Sequence, residues 1–126
     1  MFANTKAYSG FAVDDLDKAR EFYGETLGIE ITPEEMGILT LQLEGGGRPT
    51  LIYPKPDFAP ATYTILNFPV DDIDAAVEEL SGRGVEFLRY DGFGQDERGI
   101  SRDAGGPPIA WFTDPAGNIL AVLETD

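Results

Sequence analysis

Any chemistry this chain performs has to come from carboxylates, hydroxyls, amides and aromatic rings, because its 126 residues include neither histidine nor cysteine. Without an imidazole base or a thiolate there is no Ser-His or Cys-His nucleophile pair, no zinc-peptidase helix, no zinc finger and no disulfide framework. Three kinds of site survive that exclusion. The first is an oxygen-only metal site in the stretch from Asp91 to Pro108, which carries Gln95, Asp96, Glu97, Arg98, Arg102 and Asp103; Asp96, Glu97 and Asp103 could ligate, or could be solvated charge on a long loop. The second is a general base made by burying a carboxylate such as Glu86. The third is a binding surface of aromatic rings and amides, for which the single tryptophan, Trp111, and the amides of Gln42 and Asn67 are candidates.

Other motifs are better read as turns and caps. Gly45-Gly46-Gly47-Arg48 lacks the lysine and the spacing of a phosphate-cradling loop, and Gly92-Phe93-Gly94 opens no helix. The aspartates at 71–74 lack the spacing and the glycine of a calcium loop and suit a helix N-terminus instead. Nine Lys and Arg against 23 Asp and Glu give a net charge of −14. Such a chain repels phosphate backbones and anionic membranes, so neither nucleic acid nor membrane is expected as a partner. The opening MFANTKAYSG has no basic n-region before an apolar stretch, and no apolar run approaches the roughly 20 residues that span a bilayer. A cytoplasmic protein is the expectation.

The elements that would position these residues follow from an internal repeat. Phe11-Ala-Val-Asp-Asp-Leu-Asp-Lys-Ala-Arg-Glu lies over Phe68-Pro-Val-Asp-Asp-Ile-Asp-Ala-Ala-Val-Glu at a spacing of roughly 57 residues, and Gly28-Ile-Glu-Ile matches Gly84-Val-Glu-Phe after a one-residue slip. Each copy reads as a strand, a helix opened by an aspartate and stopped by a glycine, then three more strands. The strands are expected at 7–13, 28–31, 37–43 and 50–53, then at 62–70, 85–90, 109–113 and 119–123. Asp14 or Asp15 caps the first helix, whose apolar positions are Leu16, Ala19, Tyr23 and Leu27; Asp71 or Asp72 caps the second, with Ile73, Ala76, Val77 and Leu80. One domain over 1–126 is expected, with module one at about 5–54, a Pro-rich linker at 55–61 and module two at about 62–124.

The tandem βαβββ pattern, together with Val13-Asp-Asp-Leu, Phe22-Tyr23, Leu27-Gly28 and the closing Trp111-Phe-Thr-Asp-Pro-Ala-Gly-Asn-Ile-Leu, resembles the vicinal oxygen chelate superfamily of glyoxalase, bleomycin-resistance and extradiol-dioxygenase proteins. The resemblance runs from about Ala7 to Glu124. It implies an α+β fold in which the two modules form a cupped mixed sheet with helices on the outer face and a ligand or metal inside. Enzymes of this kind commonly hold a metal at four places, which fall here on Tyr8, Tyr53, Ile65 and Ala121. Two of these side chains have no donor atom, so no metal and no cofactor is expected, and the usual metal-dependent catalysis is disfavoured. Strand alternation then lines the cup with Tyr8, Gln42, Tyr53, Ile65, Asn67, Trp111 and Ala121, and pairs Thr113 with Ile119 across the last hairpin. The ligand-binding residues are taken as Tyr8, Gln42, Tyr53, Asn67 and Trp111. The expected function is metal-free binding of a small organic molecule, for which the acidity favours a cation, in a homodimer of the kind common in the bleomycin-resistance branch. The alternative is a divergent enzyme (lyase, isomerase or dioxygenase-like) with a relocated metal or a metal-free acid/base site.

Overall fold

The two Val-Asp-Asp segments do the same work in both copies: a strand ends, and the second aspartate caps a helix. Asp15 and Asp72 both have extended backbone, with φ of −139° and −138°. The Asp15 carboxylate accepts from the Asp17 and Lys18 amides at 3.0 and 3.2 Å, and that of Asp72 accepts from Ala75 N at 3.1 Å. Each satisfies amides that a helix N-terminus leaves without an intrahelical partner. The second cap is reinforced by Glu124, whose Oε1 accepts from Ile73 N at 3.1 Å.

The computed structural model describes every residue except Glu35, Met36, Glu44, Gly46, Gly47, Asp103, Ala104 and Asp126. It divides into two compact units, Met1–Pro60 and Ala61–Asp126. The first holds β1 (Gly10–Val13), α1 (Leu16–Arg20), a π-helical turn (Glu21–Thr26), β2 (Glu30–Pro33), β3 (Leu39–Gln42) and β4 (Thr50–Pro54). Its sheet has the order β1-β4-β3-β2, parallel between β1 and β4 and antiparallel elsewhere. The π-helical turn is where the one-residue slip between the repeats is absorbed. Asp15 to Gly28 is one residue longer than Asp72 to Gly84, and the wider turn, closed by Leu27 N donating to Phe22 O at 2.9 Å, takes up the difference before Gly28 turns out of the helix with φ of 71°. Tyr23 on this turn is fully buried and its ring meets that of Phe11 at 5.6 Å. Phe11, Val13, Ile52, Leu39 and Leu41 are buried, with Phe11, Ile52 and Leu39 in one ladder row on the helical side.

The second unit holds β5 (Thr64–Val70), α2 (Ile73–Gly82), β6 (Ile109–Thr113) and β7 (Ile119–Glu124), with sheet order β5-β7-β6. Parallel β5–β7 and antiparallel β6–β7 repeat the β1–β4–β3 arrangement of the first unit. The Glu124 bond to α2 identifies the helical side of this sheet, so Leu120, Val122, Phe112 and Ala110, buried and of the same alternation, lie under α2 with Ile73 and Val77. The hairpin register pairs Thr113 with Ile119, as expected. It is closed by a buried side-chain clasp in which Asn118 donates to the Asp114 carboxylate through N at 2.8 Å and Nδ2 at 3.1 Å.

One expected strand is absent. Residues 85–90 make a single bridge, Phe87 to Phe112, and one amide bond from Leu88 N to Trp111 O at 2.8 Å. The ladder stops because the Gln95 side chain takes the neighbouring backbone groups: its Oε1 accepts from Tyr90 N at 2.6 Å and its Nε2 donates to Leu88 O at 2.8 Å. Among the described residues no helix is long and apolar enough to cross a membrane.

Candidate functional site

The sheet row that crosses the second unit is Asn67, Ala121, Trp111. Paired residues on adjacent strands project to the same side, so these three share the face opposite α2. Trp111 does not stand alone there. The Tyr90 ring lies 5.2 Å from the indole at 87°, the Phe93 ring lies 5.3 Å from it at 54°, and Tyr90 and Phe93 are 5.8 Å apart at 74°. Three mutually inclined rings form a corner of aromatic edges and faces, each pair contributing about 0.5–1.5 kcal/mol beyond the area it buries. Trp111 and Tyr90 are half-buried, whereas Phe93 is 41% exposed.

Phe93 reaches the indole because the stretch that carries it is tightly bonded. Beyond its two bonds to residues 88 and 90, Gln95 Nε2 donates to Gly99 O at 2.8 Å. Ser101, buried at 1% exposure, donates its hydroxyl to Phe93 O at 2.6 Å, and its backbone pairs with Ile109. Asp96 Oδ1 accepts from Arg98 N at 2.9 Å and Ile100 N at 3.0 Å, while Arg89 donates to the Asp96 and Glu97 carbonyls. Arg102 joins Asp74 at 2.6 Å and Asp96 at 3.5 Å. Partial desolvation would raise the Asp96 pKa, but the two amides and the Arg102 guanidinium outweigh it and hold the carboxyl below its ordinary value.

These contacts bear on two of the sites that the sequence leaves open. Asp96 does not offer a free carboxylate to a metal, Asp103 lies outside the described residues, and no group of three or more candidate ligands occurs among the described residues. Glu86 is exposed, so it is not the buried carboxylate that the acid/base reading calls for. The two candidate amides are not deeply buried. Gln42 is half-buried and donates to Thr32 Oγ1 at 3.1 Å, and Asn67 is exposed, so neither is a buried amide in need of a ligand.

In the first unit Tyr8 precedes β1 and is 63% exposed, while Tyr53, 41% exposed, pairs with Ala12. Gln42 and Tyr53 share the face opposite α1 but sit at opposite ends of the β3–β4 ladder, roughly 13 Å apart at the rise of a strand. The ladder also revises one of the four positions taken from the metal sites of relatives. Asn67 pairs with Ala121, and its repeat counterpart Gly10 pairs with Leu51, so the counterpart of Ala121 is Leu51 and not Tyr53. Ile65 falls at an irregularity in the β5–β7 register, and Ala121 is fully buried. Tyr8, Leu51, Ile65 and Ala121 have one phenol oxygen among them, a donor set that does not fit a divalent cation.

A groove of about 520 Å³ lies elsewhere on the first unit, between the π-helical turn and β2, lined by Asp17, Arg20, Glu21, Gly24, Glu25, Ile29 and Ile31. Its charged side chains are exposed, which makes it a wetted helix surface rather than an apolar site.

The profile of the Glyoxalase/Bleomycin resistance protein/Dioxygenase superfamily matches residues 7–122. Among solved structures, a member of that superfamily from Sphaerobacter thermophilus DSM 20745 is 25% identical, with 99% of this chain and 100% of the other covered and a TM-score of 0.75. TnmS3, an antibiotic-binding protein from Streptomyces sp. CB03234, is also 25% identical, with 98% of each chain covered and a TM-score of 0.69. A glyoxalase/bleomycin resistance protein from the same Streptomyces strain is 27% identical over 94% of this chain and 99% of its own, with a TM-score of 0.64. None of the curated proteins matches the chain. With a repeated strand-helix-strand unit, the Asp-Pro-Ala-Gly-Asn hairpin and a profile match over nearly its whole length, the chain belongs to the Glyoxalase/Bleomycin resistance protein/Dioxygenase superfamily.

Proposed function

We propose that this protein binds a small organic molecule, without metal, on the sheet face of the second unit that carries Trp111. The observation that carries the reading is the corner formed by Tyr90, Phe93 and Trp111, whose rings offer flat apolar contact at low entropic cost, with the Asn67 amide in the same sheet row to orient a polar group. An antibiotic-binding relative of the same fold supports it. The net charge of −14 favours a cationic ligand by long-range attraction. Tyr8, Gln42 and Tyr53 are kept as proposed ligand-binding residues of the first unit, considered by itself. A cytoplasmic homodimer completes the reading, and light scattering that found a monomer would remove the dimer from it.

The enzymatic alternative draws nothing from the structure, since Glu86 is exposed and Asp96 is held by amides and Arg102. The test is a titration of flat aromatic compounds, cationic and neutral, read by Trp111 fluorescence and calorimetry in the presence of EDTA. At least one compound should bind with a Kd below about 1 mM, equivalent to about 4 kcal/mol, unchanged by the chelator. A panel with no binder, or binding abolished by EDTA, contradicts the reading.

A further inference from the structure

Phe93 is mounted differently from the other two rings of the corner. Trp111 stands on β6 and Tyr90 ends the segment bridged to it, but Phe93 sits between Gly92 and Gly94, both left-handed with φ of 88° and 60°. A Cβ added at either glycine would meet nothing within 4 Å, so it is the backbone conformation and not space that calls for glycine there. On such a mount the ring has its contacts with Trp111 and Tyr90, but the backbone that carries it has little of its own to hold it. What holds it are two buried or half-buried side chains: Ser101, donating to the Phe93 carbonyl, and Gln95, which ties the turn to residues 88, 90 and 99.

We propose that Ser101 and Gln95 are positioning residues that hold Phe93 against Trp111 as a movable wall, and that this wall sets how much of the indole face a ligand can reach. The proposal rests on the reading of the Trp111 face as the binding surface. With the hydroxyl bond made, the ring leans on the indole at 5.3 Å; with it broken, the two glycines let the ring swing away at little backbone cost. Ser101 and Gln95 touch no ligand in this scheme and act only through Phe93.

Trp111 is the only tryptophan, so acrylamide quenching of its fluorescence reads access to this ring alone. No ligand enters the experiment, so its failure is distinguishable from failure of the proposed function. Phe93→Ala should raise the quenching constant about twofold, and Ser101→Ala and Gln95→Ala should each raise it toward that level at temperatures well below their melting points. Asp72→Ala, which weakens the cap of α2 in the same unit, serves as the stability control: it should lower Tm and leave quenching unchanged. Unchanged quenching in Phe93→Ala overturns the proposal, as does quenching in Ser101→Ala and Gln95→Ala that stays at the wild-type level. Quenching that merely follows Tm across all four variants overturns it too.

Discussion

Asp96 shows how a single carboxyl can hold a turn without being a ligand. Its folded pKa lies below the ordinary value because the Ile100 and Arg98 amides and Arg102 outweigh its partial burial. A lowered pKa means that the stabilisation is complete above the unfolded value near 4 and is lost as pH falls through the folded one. The 91–102 turn should therefore keep its hydrogen-exchange protection at neutral pH and lose it first below about pH 4. Asp96→Asn should weaken protection of the Arg98 and Ile100 amides at pH 7 and flatten its acid limb; an unchanged acid limb would show that other carboxylates dominate. At the same scale, the strand and sheet face of Trp111 were legible from the sequence because it sits on a clear strand beside a recognisable hairpin. Tyr90 and Phe93 were not, since no periodicity announces side chains placed by Gln95 and Ser101 bonding to backbone.

The elements followed the repeat closely where their bonds are backbone to backbone. The duplicated Val-Asp-Asp marked both caps, the alternation in 109–113 and 119–123 gave the hairpin register, and the one-residue slip between the copies foreshadowed a difference between the helices that appears as the π-helical turn. The strand expected at 85–90 was lost because the Gln95 side-chain amide, five and seven residues from the groups it bonds, competes for its ladder positions. Two predictions belong here. Asp15→Ala and Asp72→Ala should each destabilise by about 1 kcal/mol in urea unfolding, Asp72 less if Glu124 compensates through Ile73 N. Gly99→Ala should cost more than either cap, about 1–3 kcal/mol, because its φ is 91° and the new Cβ would lie 3.1 Å from Phe87 Cβ. A Gly99→Ala protein as stable as wild type would show that the turn relaxes freely.

For the whole molecule, the superfamily was legible from the repeat and the closing Asp-Pro-Ala-Gly-Asn turn, but activity was not, because the positions to which the resemblance assigns a metal carry Tyr8, Ile65, Ala121 and, by ladder register, Leu51. Taking the two modules as one domain predicts a single calorimetric transition with matching van't Hoff and calorimetric enthalpies, and two separate transitions would refute it. With −14 net charge, raising NaCl should raise Tm by screening self-repulsion. The most direct measurement of the central claim is amide and aromatic chemical-shift mapping during titration with a flat cationic dye such as thioflavin T. The account predicts shifts centred on Trp111, Tyr90, Phe93 and Asn67. Saturable shifts centred instead on the groove of Asp17, Glu21 and Glu25, or no saturable shifts at all, would contradict it.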